Sequence, residues 1–369
     1  MTQTTLSGFG VVVKNKGGEM KVLITGGAGF VGANLAIYLA KNGYEVIVMD
    51  NLVRRGGEFN LENFKNKNVK FVHGDVRCPE DFVQLPKVDY ICECSAQPSA
   101  VDGYNNPVFD ITNNTFGLMN VLEFARKCDA AVIYWSTNKV YSANVANAVS
   151  LVEGDMRWSW GETEPFTGFD KEHGFSSELS IDGGQHSVYG LSKVMGDLMC
   201  QEYYDAFGVK TVSNRFSCLY GQGQWGKCEQ GWVTWFAIAY HFKLPLQFFG
   251  WKGKQVRDAL HIHDICSLVK LQMENIDKVA GQAFNIGGGK DNTLSLIEAC
   301  EMLENMTGNY VPIEYVDNIR KADHCIYISD IRKIKNAIGW APKVGIEQGY
   351  EEVLKWVKDN KNILEKLYT

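Results

Sequence analysis

A doubly wound α/β fold, a parallel sheet of the Rossmann type carrying a smaller mixed α/β lobe, is predicted by three features of the sequence. Short apolar runs without polar alternation recur between helical stretches, as in a parallel sheet buried on both faces. A run of glycines separates the first apolar run from the first helical stretch. Beyond residue 216 the rhythm changes, with clustered aromatics and shorter elements.

The elements follow in order. Residues 21–25 (KVLIT) form a strand, residues 30–41 a helix and residues 45–49 (EVIVM) a second strand. Strands at 69–73, 89–94 and 130–135 continue the series, with a helix over about 107–128 between the last two. A helix over about 188–207 leads into a strand at 209–215. This divides the chain into an extension at 1–19, a dinucleotide domain at 20–216 that takes back about 264–288, and a lobe formed by 217–263 and 289–369. The irregular segment 142–187 is long for a compact domain and predicts an active-site loop or cover.

Composition narrows the function. The 369 residues are 45% hydrophobic and 22% charged, with a net charge of −6. A non-specific nucleic-acid or membrane-surface binder needs a dominant basic field, so neither partner is expected. The most apolar stretch, 231–242, is shorter than the ~20 residues that span a bilayer. Residues 1–19 hold Lys14, Lys16 and one three-valine run, unlike a signal peptide; they read as a loosely ordered extension, with Met20 a natural domain start. Ten cysteines without a C-x-x-C pair predict free core thiols in a reducing cytoplasm.

The string Gly26-Gly27-Ala28-Gly29-Phe30-Val31-Gly32 lies between the first strand and first helix. Gly26 allows the tight turn, Gly29 lets the backbone approach a pyrophosphate, and Gly32 lets helix and strand pack closely. The helix N-terminus then faces the phosphate charge. Asp50 ends the second strand ~20 residues on, where a carboxylate accepts ribose hydroxyls and repels a 2′-phosphate. NAD, rather than NADP, is the expected cofactor, although Arg54 and Arg55 follow closely.

Tyr189 and Lys193 stand at i and i+4 of a helix and share a face. A lysine ammonium favours tyrosinate, so Tyr189 is the expected general base towards a sugar hydroxyl. Ser136 and Thr137, at the end of the strand before, place hydroxyls near the same point.

In this order, the glycine string, Gly74-Asp75-Val76, Ser136-Thr137 and Tyr-x-x-x-Lys resemble the extended short-chain dehydrogenase/reductase family of nucleotide-sugar epimerases and dehydratases. Over about residues 20–358 the chain is similar more narrowly to the CDP-paratose 2-epimerase (CDP-tyvelose epimerase) branch. The likeness rests on Gln97-Pro98-Ser99, Ser136 to Tyr141 (STNKVY), Glu229 to Phe236 (EQGWVTWF), Gly253 to Asp258 (GKQVRD), Asn285 to Gly288 (NIGG) and Trp340 to Lys343 (WAPK).

The resemblance implies a redox-neutral inversion at C2 of a nucleotide sugar through a 2-keto sugar. It places Lys193 on the nicotinamide ribose, Thr137 and Tyr189 on the substrate oxygen, and Asp75 and Val76 beside adenine. Ser95, Ala96 and Gln97 would lie along the cofactor, with Asn114 holding the strand ends. Phe30, Val31, Asn51, Arg54 and Ser136 are further cofactor contacts, and Ser99, Asn138 and Ser217 substrate contacts. Dimers through the helices at 107–128 and 188–207, or tetramers, are also implied.

Arg257 and Arg320 are the expected diphosphate ligands, since a guanidinium grips phosphate oxygens in pairs. Gln230, Val233 and Asp323 fit base or ribose contacts, while Trp232 and Trp235 read first as core. Sugar 4,6-dehydratases look like Ser-Thr-Asp-Glu-Val-Tyr at this strand end; here Asn138 and Lys139 replace the two acids, which disfavours loss of water. Epimerisation at C4, or of a sugar on another base, is the alternative. A non-catalytic dinucleotide sensor or RNA-binding relative would predict a broken Tyr/Lys pair or a basic face, and the chain has neither.

Five positions depart from the family pattern: Glu93 for histidine, Cys94-Ser95 for a more apolar pair, Ser142 for glycine and His324 for glutamine. The last falls in the expected nucleotide pocket. His261-x-His263-Asp264 has the look of a metal motif, but further ligands are not evident in the sequence and the chemistry needs no ion, so no metal is expected.

Overall fold

The computed structural model describes residues 19–65 and 67–368; of the expected extension, residues 1–18 lie outside the described residues. Seven strands make the main sheet: β1 (Lys21–Thr25), β2 (Glu45–Asp50), β3 (Val69–His73), β4 (Tyr90–Glu93), β5 (Ala131–Thr137), β6 (Thr211–Phe216) and β7 (Gln282–Ile286). All pairings are parallel, in the order 3-2-1-4-5-6-7. The order reverses between β1 and β4, which opens a crevice at the carboxyl ends of the strands.

Helices α1 (Phe30–Lys41), α2 (Gly117–Cys128), α3 (Ser187–Phe207), α4 (Trp232–Phe242), α5 (Ile262–Glu274) and α6 (Ile346–Asp359) matter most for the site. Strand side chains alternate between two cores, as a pleat requires. Val22 and Ile24 pack with Leu35 of α1 and Ile265 of α5 on one face. Leu23 packs with Leu118 of α2 and Cys200 of α3 on the other. Burial on both faces explains why these strands show no polar alternation in sequence.

The helix expected over 107–128 is broken by a π-turn at Thr112–Phe116, between a short helix at Pro107–Ile111 and α2. Such turns are frequent where a functional side chain must be re-aimed. Here Asn113 lines the crevice and Asn114 bonds the loop after β4.

The lobe has its own core, in which α4 packs against α6 and the helix Leu296–Thr307 through Phe236, Tyr240, Leu303 and Val353. Its main sheet joins Cys218–Tyr220, Val256–His261, Thr293–Ser295 and Ile326–Tyr327. The sequence-based lobe boundary is too generous at the C-terminal end. Ile334 and Trp340 belong to the core of the main sheet, and Lys333 Nζ donates to the carbonyl of Ala283 in β7 at 2.9 Å.

The segment 142–187 is not the cover expected. It contains a helix, Ala143–Asn147, and two hairpins, Leu151–Glu153 with Trp158–Trp160 and Phe169–Asp170 with Gly174–Phe175. None of its residues lines the crevice. It packs instead against Tyr141 and Tyr327, and its Arg157 pairs with Glu298 of the lobe at 2.5 Å. Asn147 Nδ2 donates to the Asp323 carbonyl at 2.9 Å, so the segment steadies the site from behind.

Candidate active site

The crevice is a single cavity of about 1050 Å³ that runs from the glycine turn to the lobe. Gly26 has φ +61° and a Cβ there would fall 2.6 Å from Ser95 Cα, so only glycine suits the turn. A Cβ on Gly32 would lie 2.5 Å from Gly27 Cα, where α1 crosses the turn. At Gly29 a Cβ would meet only Gly26 O, at 3.1 Å, and would otherwise enter the cavity. No side chain caps the N-terminus of α1, which leaves its dipole facing the space.

Asp50 binds the glycine turn from the other side. Its Oδ2 accepts from Ala28 N–H at 3.0 Å and its Oδ1 from Leu52 N–H at 2.8 Å. Burial pushes its carboxyl above the usual value, while these backbone donors pull the other way. A carboxylate offers about four acceptor sites, so room remains on it for a ribose hydroxyl beside its backbone donors. Shape and charge thus fit a dinucleotide without a 2′-phosphate.

Phe30, Val31, Asn51, Arg54, Val76, Ser95, Ala96, Gln97 and Ser136 all line the cavity. Three expected residues do not. Asp75 is turned to Arg77, at 2.5 Å, and to Asn51, at 2.9 Å, and these donors hold its carboxyl well below the usual range. Asn114 accepts from Gln97 N–H at 2.9 Å and donates to Ser192 Oγ at 3.0 Å, tying the β4 loop to α3. Ser99 caps the helix Ala100–Asn105 by accepting from Asp102 N–H at 3.1 Å, which takes its hydroxyl away from the expected substrate contact.

At the centre, Tyr189 and Lys193 rise from the first turns of α3, beside Thr137 at the end of β5. Burial pushes the Tyr189 phenol up to about 12; the Thr137 hydroxyl, its hydrogen-bond partner, lowers it, Asp110 raises it and Arg54 lowers it. Lys193, one helical turn on, is held by the end of β5. Its Nζ donates to the Trp135 carbonyl at 2.7 Å and lies 4.8 Å from the Tyr134 ring centre. Burial lowers Lys193 to about 8, against the pull of Glu93 and Asp110.

Glu93 and Asp110 went unread as site residues. Glu93, fully enclosed, accepts from the hydroxyls of Thr25 and Ser95, and burial raises its carboxyl. Asp110 accepts from Asn114 at 2.5 Å, and burial raises it to about 6. A lone acid in a strand or helix pattern carries no local sign that it lies under a lysine 80 to 100 residues away.

At the lobe end, Asn138, Lys139, Ser217, Gln230, Val233, Arg257, Arg320 and Asp323 meet around the same cavity. Asp323 Oδ1 accepts from Lys139 Nζ at 2.8 Å and from Arg257 at 2.9 Å, and the two cations hold its carboxyl far below the usual range. Arg257 is further fixed by the carbonyls of Val256, at 2.8 Å, and Cys325, at 3.2 Å. The Arg320 guanidinium lies 4.1 Å from the Phe249 ring centre. Arg54 donates to Gln230 Oε1, joining the two lobes across the opening. Ser217 Oγ donates to the Asp258 carbonyl at 3.1 Å.

Lys227, Lys321, Trp225, Cys228 and Tyr368 also line this end, and their sequence contexts gave no sign of it. Trp232 borders the cavity while packing on the lobe core; Trp235 serves the core alone. His324, expected in the nucleotide pocket, does not reach the cavity: it is fully buried and stacks on Tyr327 at 5.4 Å. Cationic side chains outnumber anionic ones around the cavity, which suits a ligand with several negative charges.

The model of the NAD dependent epimerase/dehydratase family matches residues 22–287. The chain belongs to this family. CDP-paratose 2-epimerase of Salmonella typhi is 37% identical over 351 residues, covering 91% of this chain and 99% of that protein. A putative UDP-glucose 4-epimerase of Methanocaldococcus jannaschii is 28% identical over 344 residues, covering 92% and 99%. The solved structure of dTDP-glucose 4,6-dehydratase from Bacillus anthracis in complex with NAD superposes with a TM-score of 0.73 at 26% identity, covering 94% of this chain and 99% of that one. The cofactor of this epimerase-family chain is NAD, and the cradle of Gly26, Gly29, Gly32 and Asp50 fits it.

The glycines separate two effects. Gly32→Ala is expected to destabilise the fold, because backbone blocks the new Cβ. Gly29→Ala, whose Cβ meets backbone less closely, should cost much less stability than Gly32→Ala and weaken NAD binding at least tenfold. Thermal melts alongside NAD titration of stripped protein check both; equal NAD affinity in Gly29→Ala and the parent would remove Gly29 from the cradle.

Proposed function

We propose that this chain inverts C2 of a CDP-activated sugar of the paratose/tyvelose type. One observation carries the reaction type. Where an acid pair would promote loss of water, the chain after Thr137 has a buried Asn138 and a Lys139 whose ammonium is fixed on Asp323. Neither can deliver a proton as an acid pair would, so the machinery left is that of proton transfer at one hydroxyl. The likeness to CDP-paratose 2-epimerase supports the carbon and the base; the likeness to a UDP-glucose 4-epimerase supports inversion at C4 as the second reading.

Bound NAD supplies the hydride acceptor and donor at the sugar carbon. Gly26, Gly29, Phe30, Val31, Gly32, Asp50, Asn51 and Arg54 would hold it at one end, and Val76, Ser95, Ala96, Gln97, Ser136 and Lys193 along its length. The Tyr189 phenolic oxygen takes the proton of the substrate hydroxyl and gives it back after inversion, with Thr137 Oγ1 sharing the hydrogen bond. Arg257 and Arg320 bind the diphosphate, and Asp323 orients Arg257 and Lys139 towards it. Gln230 and Val233 border the nucleoside.

No helix among the described residues is long and apolar enough to cross a membrane. Ten cysteines that are all free thiols favour a reducing cytoplasm. Leu191, Met195 and Leu198 of α3 and Phe116 and Met119 beside it are exposed on adjoining helices, which favours a homodimer through this face.

The experiment is turnover of CDP-, UDP-, GDP- and dTDP-sugars in deuterium oxide. A CDP-sugar inverted at C2, with no solvent deuterium on that carbon, is the expected product. Deuterium at the inverted carbon would replace internal hydride return with carbon deprotonation. Preferred inversion of a UDP-sugar at C4 would replace the C2 reading with the second.

A further inference from the structure

The sequence shows His261 and His263 without a third ligand, and the fold supplies one. His261 ends the strand Val256–His261, His263 lies in the first turn of α5, and Glu352 comes from α6, some 90 residues on. Glu352 Oε2 lies 3.2 Å from His263 Nδ1 and 3.8 Å from His261 Nε2. One ligand atom from each of the three falls within 4.8 Å of the others. Ligands ~2.0–2.1 Å from a tetrahedral ion stand about 3.3 Å apart. Small side-chain adjustments therefore close the site.

Two further observations point to a missing ligand. His261 is fully buried, and neither of its ring nitrogens has a hydrogen-bond partner. A buried imidazole left so is costly unless something else binds it. It is clamped edge-on between the rings of Tyr220, at 5.2 Å, and His263, at 4.8 Å. Behind His263, Gln222 Nε2 lies 2.7 Å from His263 Nε2, while the buried Gln222 Oε1 is unpartnered. Turning that amide over would let Oε1 accept an Nε2–H, the arrangement that fixes a histidine binding metal through Nδ1. Asp264, the acid adjacent in sequence, is not involved: its Oδ2 accepts from Val344 N–H at 2.9 Å.

We propose that His261, His263 and Glu352 bind one divalent cation of the Zn2+ class, with water completing the coordination. Two imidazoles and a carboxylate favour Zn2+, Co2+ or Ni2+ over Mg2+ or Ca2+, which prefer oxygen shells. None of the three residues lines the reaction cavity. The ion ties α6 to the strand end and to the start of α5, so its role is to fasten α6 to the body of the enzyme rather than to act on substrate.

The test uses untagged full-length protein stripped with chelator. Zn2+ is titrated in competition with a chromophoric chelator, and melting is followed with and without Zn2+. His263 has a half-exposed side chain, so His263→Ala should fold; Glu352→Gln is the second variant. The parent is expected to bind one Zn2+ per chain and melt higher with it. Both variants lack a full ligand, so their binding should weaken by more than the ~10–100-fold that a lost outer-shell partner costs, and the shift should be lost. Zn2+ binding by the variants equal to the parent's, no binding by the parent, or equal affinity for Mg2+ would overturn the proposal.

Discussion

Replacing Tyr189 by phenylalanine is expected to lower kcat by ~10²–10⁴-fold, the usual contribution of a positioned acid–base group, while the purified protein keeps its NAD. The phenol stands at about 12 without cofactor, so near pH 7 it holds its proton. Bringing it from there to about 7 requires ~7 kcal/mol of preference for the phenolate, at 1.36 kcal/mol per unit. One cation ~4 Å away supplies about 4 kcal/mol at the dielectric of such sites, so a single charge falls short. The positive charge of oxidised NAD and a Lys193 ammonium drawn from the Trp135 carbonyl would suffice together.

This has a spectroscopic consequence. In stripped protein the Tyr189-dependent tyrosinate absorbance should appear only near pH 12, and NAD should move it down. Lys193, lowered to about 8, carries its proton below that pH and loses it above, so activity should decline on the alkaline side of about pH 8. Tyr189→Phe with parental kcat, or a tyrosinate signal indifferent to NAD, would remove Tyr189 from its role.

Asp197→Ala is expected to cost ~3–5 kcal/mol of stability, although the residue lies away from the chemistry. Asp197, one helical turn beyond Lys193, pairs through Oδ2 with Arg215 Nε of β6 at 2.7 Å, and the two side chains are 0% and 5% exposed. The same oxygen accepts from Ser136 Oγ at 3.0 Å, and Arg215 also donates to the Tyr141 hydroxyl at 2.9 Å. Removing the carboxylate leaves a buried guanidinium short of its charge partner, which is why the loss exceeds the net worth of the pair. A second substitution, Arg215→Met, should recover part of the stability in the double variant, since an apolar pair carries no orphaned charge. Chemical denaturation of the two variants measures this. A cost under ~1 kcal/mol, the scale of an exposed ion pair, would mean that water reaches Arg215.

The strands, α1 and α3 were legible because burial on two faces leaves unbroken apolar runs and helical repeat leaves a periodic one, both marks in the chain itself. The glycine turn was legible for the same local reason: Gly26 and Gly32 are needed by contacts within a few residues or with the adjoining strand. The π-turn at Thr112–Phe116 left no such mark, since one inserted residue alters no composition. The role given to segment 142–187 failed because length and irregularity say that a segment is unusual, not which surface it covers.

The sequence alone determined the fold class and NAD, and it pointed to Tyr189, Lys193, Ser136 and Thr137, which line one cavity. These rest on spacing along one strand, one turn or one helix, where geometry follows from backbone periodicity. Only the tertiary structure decided that Lys193 bonds Trp135, that Asp323 is shared by Lys139 and Arg257, that Ser99 is a helix cap, and that Glu352 meets His261 and His263. Each of these depends on side chains from separate elements arriving within a few ångströms. That distance is set by how whole layers pack, and no local pattern encodes it.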